Sequence, residues 1–251
     1  MNDIKLVSWN VRGLNSKYKR SLVLQYLKSL NPHIVLLQET HLMGSKTLSL
    51  NRNWIQRAVH STYSSYARGV VILLHKKLQC NIEHVVTDPH GRYAIVVLTV
   101  DSQLLAIANV YIPPPFNKEV LYLVLEKIAT FGPLKLLVAG DFNNVLDYGL
   151  DASNPNRARN LDLRHWADVA AVEELWRWKH PGERGYSYLS HVSSSSSRID
   201  LAFANPALLP QVTDVDYLAG GLSDHTPLQV TLSRPGGGWS ETLEAAPGMG
   251  G

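Results

Sequence analysis

Five short polar motifs contain residue types that can bind a divalent cation and position a water molecule. Each lies beside a predicted strand: Asn10-Val11-Arg12-Gly13, Gln38-Glu39-Thr40, Gly140-Asp141-Phe142-Asn143, Ser197-Arg198-Ile199-Asp200 and Ser223-Asp224-His225. A strand is usually followed by turn residues such as glycine and proline, whereas these segments supply carboxylates, amides and an imidazole. Together they predict a metal-dependent phosphodiesterase.

Asp141 and Asn143 are two positions apart, so in an extended segment both side chains project from the same face. The aspartate could take a proton from water while the amide holds that water or a phosphoryl oxygen. Taken alone, the pair is more typical of a simple turn. Glu39 follows an apolar run and could ligate magnesium through one carboxylate, although an isolated carboxylate at a strand end is more typical of exposed surface.

Asp224 and His225 are neighbours in sequence, and adjacent residues of a strand point to opposite faces. Asp200 is therefore the better candidate to hold the His225 ring and to favour its protonated form. Asp224 would then assist the metal or the water. The alternative interpretation makes both aspartates turn or salt-bridge residues, and His225 a strand cap.

Apolar runs predict the strands that position these motifs. They cover residues 4–8, 34–37, 69–74, 81–87, 93–100, 104–111, 134–139, 199–203, 212–217 and 228–232. The consecutive strands between residues 55 and 111 favour antiparallel pairing.

Helices are predicted between these strands. Ser16 offers an N-cap for a first helix that Pro32 ends, and apolar spacing predicts a second helix over residues 121–128. Residues 164–178 are expected to be helical, with their three tryptophans packed in the core: Trp166, Trp176 and Trp178.

Composition leaves the substrate open. The chain has 251 residues, 45% of them hydrophobic, which is enough for one large α/β domain, and its net charge of +3 does not identify a nucleic-acid binder. Its single cysteine, Cys80, excludes an internal disulfide and a cysteine-rich zinc site. The absence of a charged leader and of a long apolar run predicts a soluble, intracellular protein.

The last residues differ in composition. From residue 234 to residue 251 the chain is rich in glycine, proline, alanine and serine. We expect one domain over residues 1–233 and a flexible tail or linker over residues 234–251.

The joint order of the polar residues resembles the endonuclease/exonuclease/phosphatase superfamily, over residues 4 to 232. The residues that carry this resemblance are Asn10, Glu39, Tyr111, Asp141-Phe142-Asn143, Arg198-Ile199-Asp200 and Ser223-Asp224-His225. Three segments most resemble the endonuclease domain of non-LTR (LINE-type) retrotransposons: Asn109-Val110-Tyr111-Ile112-Pro113-Pro114, Gly185-Tyr186-Ser187-Tyr188 and Ser197-Arg198-Ile199-Asp200.

The resemblance implies a four-layer α/β sandwich with two central, largely antiparallel β-sheets flanked by helices. It also implies a nick in double-stranded DNA with 3′-hydroxyl and 5′-phosphate ends, of which the 3′-hydroxyl primes reverse transcription. The corresponding protein would be fused to a reverse transcriptase and act in the nucleus, although no basic localisation cluster is evident. No membrane association is expected.

The resemblance also assigns roles by position. Glu39 would bind Mg²⁺ or Mn²⁺ with support from Asn10, and Asp141 with Asn143 would orient the attacking water. Tyr111 and His225 would contact the scissile phosphate. Asp200 would orient His225, and Asp224 would complete the acidic site.

Five residues are candidates for DNA contact: Ser187, His191, Ser195, Arg157 and Ser223. Ser187 occupies a position where relatives carry a small hydroxyl residue near the phosphate. The serine-rich segment 191–197, between two predicted strands, could be a hairpin that enters a DNA groove or a plain exposed hairpin. Arg157 has the forked donors that suit phosphate, but a loop arginine is more often only solvated.

Other functions use similar residues. An apurinic/apyrimidinic repair endonuclease would need a pocket for an abasic sugar. A phosphoinositide phosphatase would need positively charged substrate loops, and the segment 191–197 has no lysine or arginine. A catalytically inactive DNA-binding module would tolerate loss of Asp141.

Overall fold

The computed structural model describes residues 3–154, 160–190 and 194–234, and it contains two six-stranded β-sheets packed face to face. The first sheet has the order β13-β14-β1-β2-β4-β3. Its strands are β1 (Ile4–Asn10), β2 (Ile34–Gln38), β3 (Ile55–Ser61), β4 (Val70–His75), β13 (Val212–Tyr217) and β14 (Leu228–Leu232).

The second sheet has the order β5-β6-β7-β8-β12-β9. Its strands are β5 (Asn81–Thr87), β6 (Tyr93–Val100), β7 (Gln103–Tyr111), β8 (Lys135–Asp141), β9 (Glu173–Glu174) and β12 (Asp200–Ala204). The short strands β10 (Tyr188–Leu189) and β11 (Ser196–Ser197) form a separate antiparallel hairpin. In each large sheet one pair is parallel, β1 with β2 and β7 with β8, and the other pairs are antiparallel.

Three helices cover the outer faces of the sheets: α1 (Lys17–Leu30), α2 (Glu119–Ala129) and α3 (Asp162–Ala170). The short helix α4 (Leu175–Lys179) instead contributes Leu175 and Trp176 to the core between the sheets, and 3-10 helices lie at Gly44–Leu50 and Leu209–Gln211. One apolar core lies between the sheets, a second packs α1 against the first sheet, and a third packs α2 and α3 against the second. The predicted four-layer α/β sandwich is therefore confirmed.

The first helix begins and ends where the sequence indicates. The Ser16 side chain accepts a hydrogen bond from the Lys19 amide at 3.3 Å, which satisfies one of the unpaired donors of the first turn. Asn31 then takes a left-handed conformation, with φ 51°, and Pro32 follows it. The chain is thereby turned back into β2.

The helical structure predicted over residues 164–178 forms as two short helices, α3 and α4, with a break between them. Ala171 adopts φ 50° after α3, and the chain forms β9 before α4 begins. The Glu174 carboxylate accepts from the Arg177 amide at 2.8 Å, so it caps α4. Trp166 and Trp176 are buried as expected, but Trp178 is 47% exposed.

Several predicted strands extend further than expected. The first strand continues to Asn10 and β8 continues to Asp141, so both residues belong to the sheets rather than to the turns after them. Within the described ranges no helix is both long and apolar enough to cross a bilayer. Residues 235–251 lie outside the described part of the chain, so the predicted tail stays a prediction.

Candidate active site

Three polar residues form one row across the second sheet, where β7 and β8 end and β12 begins. In the strand register Asp141 of β8 pairs with Tyr111 of β7 on one side and with Asp200 of β12 on the other. Side chains that are directly opposite in neighbouring strands lie close together. The strand register alone therefore brings together Tyr111, Asp141 and Asp200. They are the predicted phosphate contact, the predicted base and the predicted partner of His225, respectively.

Asn10 connects this row to the first sheet. It ends β1 and is fully buried, and its Nδ2 donates to Asp141 Oδ2 at 2.8 Å and to Glu39 Oε1 at 2.9 Å. Its Oδ1 accepts from the backbone amide of Arg12 at 3.0 Å. Because the amide nitrogen faces both carboxylates, Asn10 is placed to orient Glu39, and its predicted part in metal binding stays a prediction.

Asp200 holds the His225 ring, as predicted. The Nδ1 of His225 lies 2.8 Å from Oδ2 and 3.1 Å from Oδ1 of Asp200, and both residues are buried. The ring is also tilted against Tyr188, with centroids 4.7 Å apart. The other ring nitrogen, Nε2, lies 4.0 Å from Asp141 Oδ2.

Ser187 is not placed for DNA contact. It is 1% exposed, and its hydroxyl donates to Asp200 Oδ2 at 2.7 Å while it accepts from the backbone amides of Ile199 and Asp200 at 3.0 Å each. The prediction that Ser187 binds DNA is corrected, because its hydroxyl is directed at Asp200. It is instead a positioning residue for the Asp200–His225 pair.

Asp141 and Asn143 are linked as a unit. The backbone N–H of Asn143 donates to Asp141 Oδ1 at 2.9 Å, and the side-chain Nδ2 of Asn143 lies 3.3 Å from Asp141 Oδ2. The same Nδ2 donates to the carbonyl of Ile112 at 3.0 Å. These bonds fix both side chains, with Asn143 in the cleft wall and Asp141 buried behind it, where they can orient a water molecule.

Charges and burial shift the pKa values of the two central residues. Burial and the negative charge of Asp200 raise the pKa of Asp141 to about 7, against the opposing effects of His225 and Asn10. Burial alone would lower the pKa of His225, but the charges of Asp200, Asp141 and Glu39 raise it to about 9. At neutral pH His225 is therefore a cation beside a carboxylate that is close to its titration point.

Glu39 is the carboxylate best placed to receive a metal. Burial would raise its pKa, yet hydrogen bonds from His41, Asn10 and Tyr111 lower the pKa of Glu39 to about 2. Burial and the charges of Glu39 and Asp141 in turn raise the pKa of Tyr111, so its hydroxyl remains a donor. A permanently ionised carboxylate at the cleft, beside oxygen and amide groups, fits a hard divalent cation.

Asp141, Asp200 and His225 form a second group of potential metal ligands, whose ligand atoms lie within 4.8 Å of one another. One ring nitrogen of His225 is already hydrogen-bonded to Asp200. These three side chains are therefore placed either to hold a cation or to share a proton.

Asp224 and Ser223 have structural partners. Asp224 forms an ion pair with Arg12, and the Ser223 hydroxyl donates to the Asn10 carbonyl at 2.8 Å. The predicted contact of Ser223 with DNA is not supported by this placement, since its hydroxyl serves the turn after β1.

These residues surround a cleft with a volume of about 640 Å³. Its walls include Arg12, Glu39, Tyr111, Asn143, Tyr188, Ser195 and His225. Ser195 belongs to the hairpin loop between β10 and β11, so a DNA contact by Ser195 stays a prediction that its position allows. Two other candidates, His191 and Arg157, lie outside the described residues, and their role also stays a prediction.

Two residues of the site escaped the sequence-based predictions. Arg12 enters the cleft from the turn after β1, and the Nε2 of His41 lies 3.4 Å from Glu39 Oε2. Arg12 lies within the first polar motif and His41 lies two residues after Glu39, but neither was assigned a role from the sequence. Both adopt left-handed backbone conformations, with φ 45° and 54°, as do Glu39 at 49° and Asn143 at 48°. Such strained conformations often occur at functional sites.

The chain is similar to known nucleases over nearly its whole length. Residues 7–225 match the Endonuclease/Exonuclease/phosphatase family. The exodeoxyribonuclease of Bacillus subtilis (strain 168) is 24% identical, with 92% of this chain and 100% of that protein aligned. The DNA-(apurinic or apyrimidinic site) endonuclease of Dictyostelium discoideum is 23% identical, with 92% of this chain and 71% of that protein aligned.

A solved structure confirms the architecture. The crystal structure of an AP endonuclease from Leishmania major superposes with a TM-score of 0.75 over 93% of this chain and 89% of that one, at 19% sequence identity. At this identity the likeness concerns the fold alone.

Proposed function

We propose that this chain, which belongs to the Endonuclease/Exonuclease/phosphatase family, is a Mg²⁺-dependent DNA endonuclease that nicks one strand of a duplex. Family membership makes it an enzyme, and its aligned relatives are named as DNA-cleaving enzymes. The observation that carries the proposal is that Glu39, Asn143 and His225 line one cleft, while the buried carboxylates of Asp141 and Asp200 are hydrogen-bonded to Asn143 and His225 in its wall.

The geometry supports a division of labour among these side chains. Asp141 takes a proton from the attacking water, and the Asn143 amide holds that water in line with the phosphorus. Protonated His225, fixed by Asp200, donates to a phosphoryl oxygen as negative charge develops there. The Tyr111 hydroxyl also donates to the phosphate. It lies on one side of Asp141 in the row, and Asp200 lies on the other.

A metal would supplement these groups. Glu39 would hold the Mg²⁺ or Mn²⁺ ion, with Asn10 and Tyr111 orienting its carboxylate. When bound, the ion polarises the phosphoryl group and neutralises part of its charge. The products expected from this chemistry are a 3′-hydroxyl and a 5′-phosphate.

The direct test is nicking of supercoiled plasmid with Mg²⁺. Wild type should nick, and Asp141→Ala and His225→Ala should each lose about 10²-fold or more of the rate, because each removes a proton-transfer group. Asp214→Asn, a change on the exposed face of β13, is the matched control and should keep the wild-type rate. Absence of nicking by wild type, or equal rates in all four proteins, would contradict the proposal.

The finer proposal is that the nick primes reverse transcription for a non-LTR retrotransposon. It is supported by the segments Asn109 to Pro114 and Ser197 to Asp200. Fusion to a reverse transcriptase and action on nuclear DNA belong to the same proposal. It predicts that a reverse transcriptase extends the nicked end without prior repair. Ends that require removal of a 3′ block would contradict it.

A second candidate is cleavage at abasic sites. The names of the Dictyostelium discoideum relative and the Leishmania major structure favour it. The two candidates differ in substrate, so the test compares intact duplex with the same duplex carrying one abasic analogue. At least a 100-fold preference for the abasic duplex would favour repair-type activity, whereas comparable rates would favour the nicking endonuclease.

A further inference from the structure

We propose that Arg68 binds a second phosphate of the DNA backbone, one that flanks the phosphate being cut. The binding site is a basin of about 490 Å³ beside the cleft, with Arg68 in its wall. Pro114 lines both the cleft and the basin, so the two adjoin. The inference deepens the proposed function and rests on it for DNA as the substrate.

The basin begins next to Tyr111 in the reactive row. The backbone amide of Tyr111 donates to the carbonyl of Arg92 at 2.7 Å, and both Arg92 and Pro113 line the basin. Burial and nearby carboxylates raise the pKa of Tyr111, whereas the positive charge of Arg68 opposes this rise. A phosphate bound at Arg68 would therefore be close to the one that Tyr111 contacts.

Three cations line the basin, and two of them already have carboxylate partners. Arg92 donates to the buried Asp88, from Nε to Oδ2 at 2.7 Å and from Nη2 to Oδ1 at 3.1 Å. Lys118 Nζ lies 3.0 Å from Asp162 Oδ1. In the part of the chain that the structure describes, no carboxylate forms an ion pair with Arg68. Its charge is therefore available to a phosphate.

The guanidinium of Arg68 is held in place without losing its donors. It lies over the ring of Tyr63, with Cζ 4.6 Å from the ring centroid. A guanidinium donates in its own plane, so stacking on a ring face leaves its N–H groups available. Its Nη1 is 3.4 Å from the carbonyl of His90, which is a long hydrogen bond. The group is thus oriented in advance and can still donate to an anion.

The backbone at Arg68 is also fixed. It adopts a left-handed conformation with φ 59°, and its carbonyl accepts from the His41 amide at 3.1 Å. The next residue, Gly69, donates to the Gly91 carbonyl at 3.0 Å and accepts from the Thr40 amide at 2.9 Å. A strained conformation of this kind persists only where its surroundings hold it, and it often occurs at functional sites.

The basin and the β10–β11 hairpin lie on opposite sides of β8. Arg92 and Pro113 place the basin beside β6 and β7, whereas the hairpin leads into β12, the other neighbour of β8. A DNA strand that contacts both the basin and Ser195 of the hairpin must cross the row that contains Asp141. Arg68 then binds a flanking phosphate on the side away from the hairpin.

The test measures DNA binding without cleavage. A fluorescein-labelled duplex is titrated with purified protein in EDTA, and anisotropy gives Kd at several salt concentrations. Arg68→Ala should weaken binding about 5-fold or more and reduce the slope of log Kd against log salt by about one. Arg68→Lys should restore the slope but only part of the affinity, because it keeps the charge and loses the planar fork.

Two further variants are controls for charge. Arg57→Ala removes an exposed arginine of β3 that lines neither the cleft nor the basin, and it should bind within about twofold of wild type. Glu119→Gln removes an exposed carboxylate from the basin itself, so it should bind at least as tightly as wild type. Circular dichroism checks that each variant is folded.

Wild-type affinity in Arg68→Ala would overturn the inference. An equal loss in Arg57→Ala, or weaker binding by Glu119→Gln, would do the same, because the effect would not come from a phosphate in the basin. A weaker Kd with an unchanged salt slope would indicate lost packing on Tyr63 and would also overturn it. Since the titration contains no metal, a wild type that binds through Arg68 but never nicks would contradict the proposed function and leave this inference standing.

Discussion

The imidazole of His225 faces the carboxylates of Asp200, Asp141 and Glu39, and its behaviour with pH follows from them. Burial lowers the pKa of His225, but the three negative charges raise it to about 9, above the ordinary value of 6.5. A raised folded-state pKa contributes stability that is complete below about pH 6.5 and is lost as pH rises through about 9. The protonated ring therefore persists through the neutral range.

Replacement of Asp200 by asparagine should lower the His225 pKa towards 6.5, because the charge that raises this pKa most is removed. Titration of the ring by NMR in metal-free protein measures this change directly. Asp214→Asn, far from the ring on β13, should leave the titration unchanged. A His225 pKa that stays near 9 in Asp200→Asn would mean that Asp141 or Glu39 dominates instead.

Ser187→Ala tests the corrected role of this buried hydroxyl. Removal of the donor to Asp200 Oδ2 should reduce kcat about 10-fold and shift the alkaline limb of the pH–rate profile, with KM for DNA nearly constant. Ser187→Thr, which keeps a hydroxyl, should recover part of the loss. A rise in KM with an unchanged kcat and pH profile would instead restore the DNA-contact assignment.

The predicted partnership of Asp200 and His225 is present, but strand alternation is not its cause, because Asp224 lies in a bend and His225 forms only an isolated bridge with Tyr188. The Arg12–Asp224 pair could not be predicted, because it depends on a left-handed turn that brings residues 212 positions apart together. Ser187 was predicted to contact DNA because the sequence shows only a hydroxyl near a strand. It does not show that this hydroxyl donates to Asp200.

At the level of elements, the second sheet positions catalytic groups through its register. Gly140 precedes Asp141 in β8 and pairs with Val110 of β7. A Cβ on Gly140 would lie 1.9 Å from the Val110 carbonyl oxygen, well inside contact distance. The row of Tyr111, Asp141 and Asp200 thus depends on a residue without a side chain.

Gly140→Ala should destabilise the protein by about 3 kcal/mol or prevent folding, because the strands must separate at this point. Urea denaturation of the purified variant measures the change in free energy of unfolding. Gly182→Ala is the matched control, since a Cβ there meets nothing within 4 Å. An unchanged midpoint in Gly140→Ala would show that the two strands can shift without cost.

Arg198 anchors the segment that leads into Asp200. Its guanidinium is fully buried, donates to both oxygens of Asp151 at 2.9 Å and lies 2.7 Å from Glu174 Oε2. Arg198→Ala leaves two buried carboxylates without this partner and should cost about 3–5 kcal/mol of folding free energy. Lys118→Ala removes a half-exposed pair with Asp162 and should have little effect on the same denaturation curve. A comparable small effect in both variants would contradict the anchoring role.

Element prediction was reliable for the strands and weaker at their ends. Long apolar runs identify β6 and β7, but they do not reveal that β8 includes the polar residues Gly140 and Asp141. The helical structure predicted over residues 164–178 forms, but the sequence does not reveal the break between α3 and α4, where Ala171 adopts φ 50°. The break depends on Glu174, which pairs with Phe203 in the sheet and forms an ion pair with Arg198.

On the scale of the whole molecule, the site is shared between the two sheets. Asn10 and His225 belong to the first sheet or its connections, whereas Tyr111, Asp141 and Asp200 belong to the second. Periodicity predicts strands but not the sheet to which each belongs, so the placement of β4 and β5 in different sheets was not predicted from the sequence. Long-range pairs such as Asn10 with Asp141 carry no local signal.

Because both sheets contribute, nicking activity should disappear together with the fold. In a urea titration the loss of nicking and the loss of far-UV circular dichroism should have the same midpoint, since separation of the sheets breaks the Asn10–Asp141 bond. Activity lost at clearly lower urea would show that the cleft opens before the sheets separate.

The pairing of β1 with β14 has a mechanical consequence. Ile4 lies opposite Leu232 and Ser8 opposite Leu228, so a force that pulls residues 4 and 232 apart loads this ladder at one end. The strands would unzip pair by pair rather than resist together in shear. Strand separation reaches Leu228, close to His225, before it affects the second sheet. Tension would therefore inactivate the site while most of the molecule is still folded.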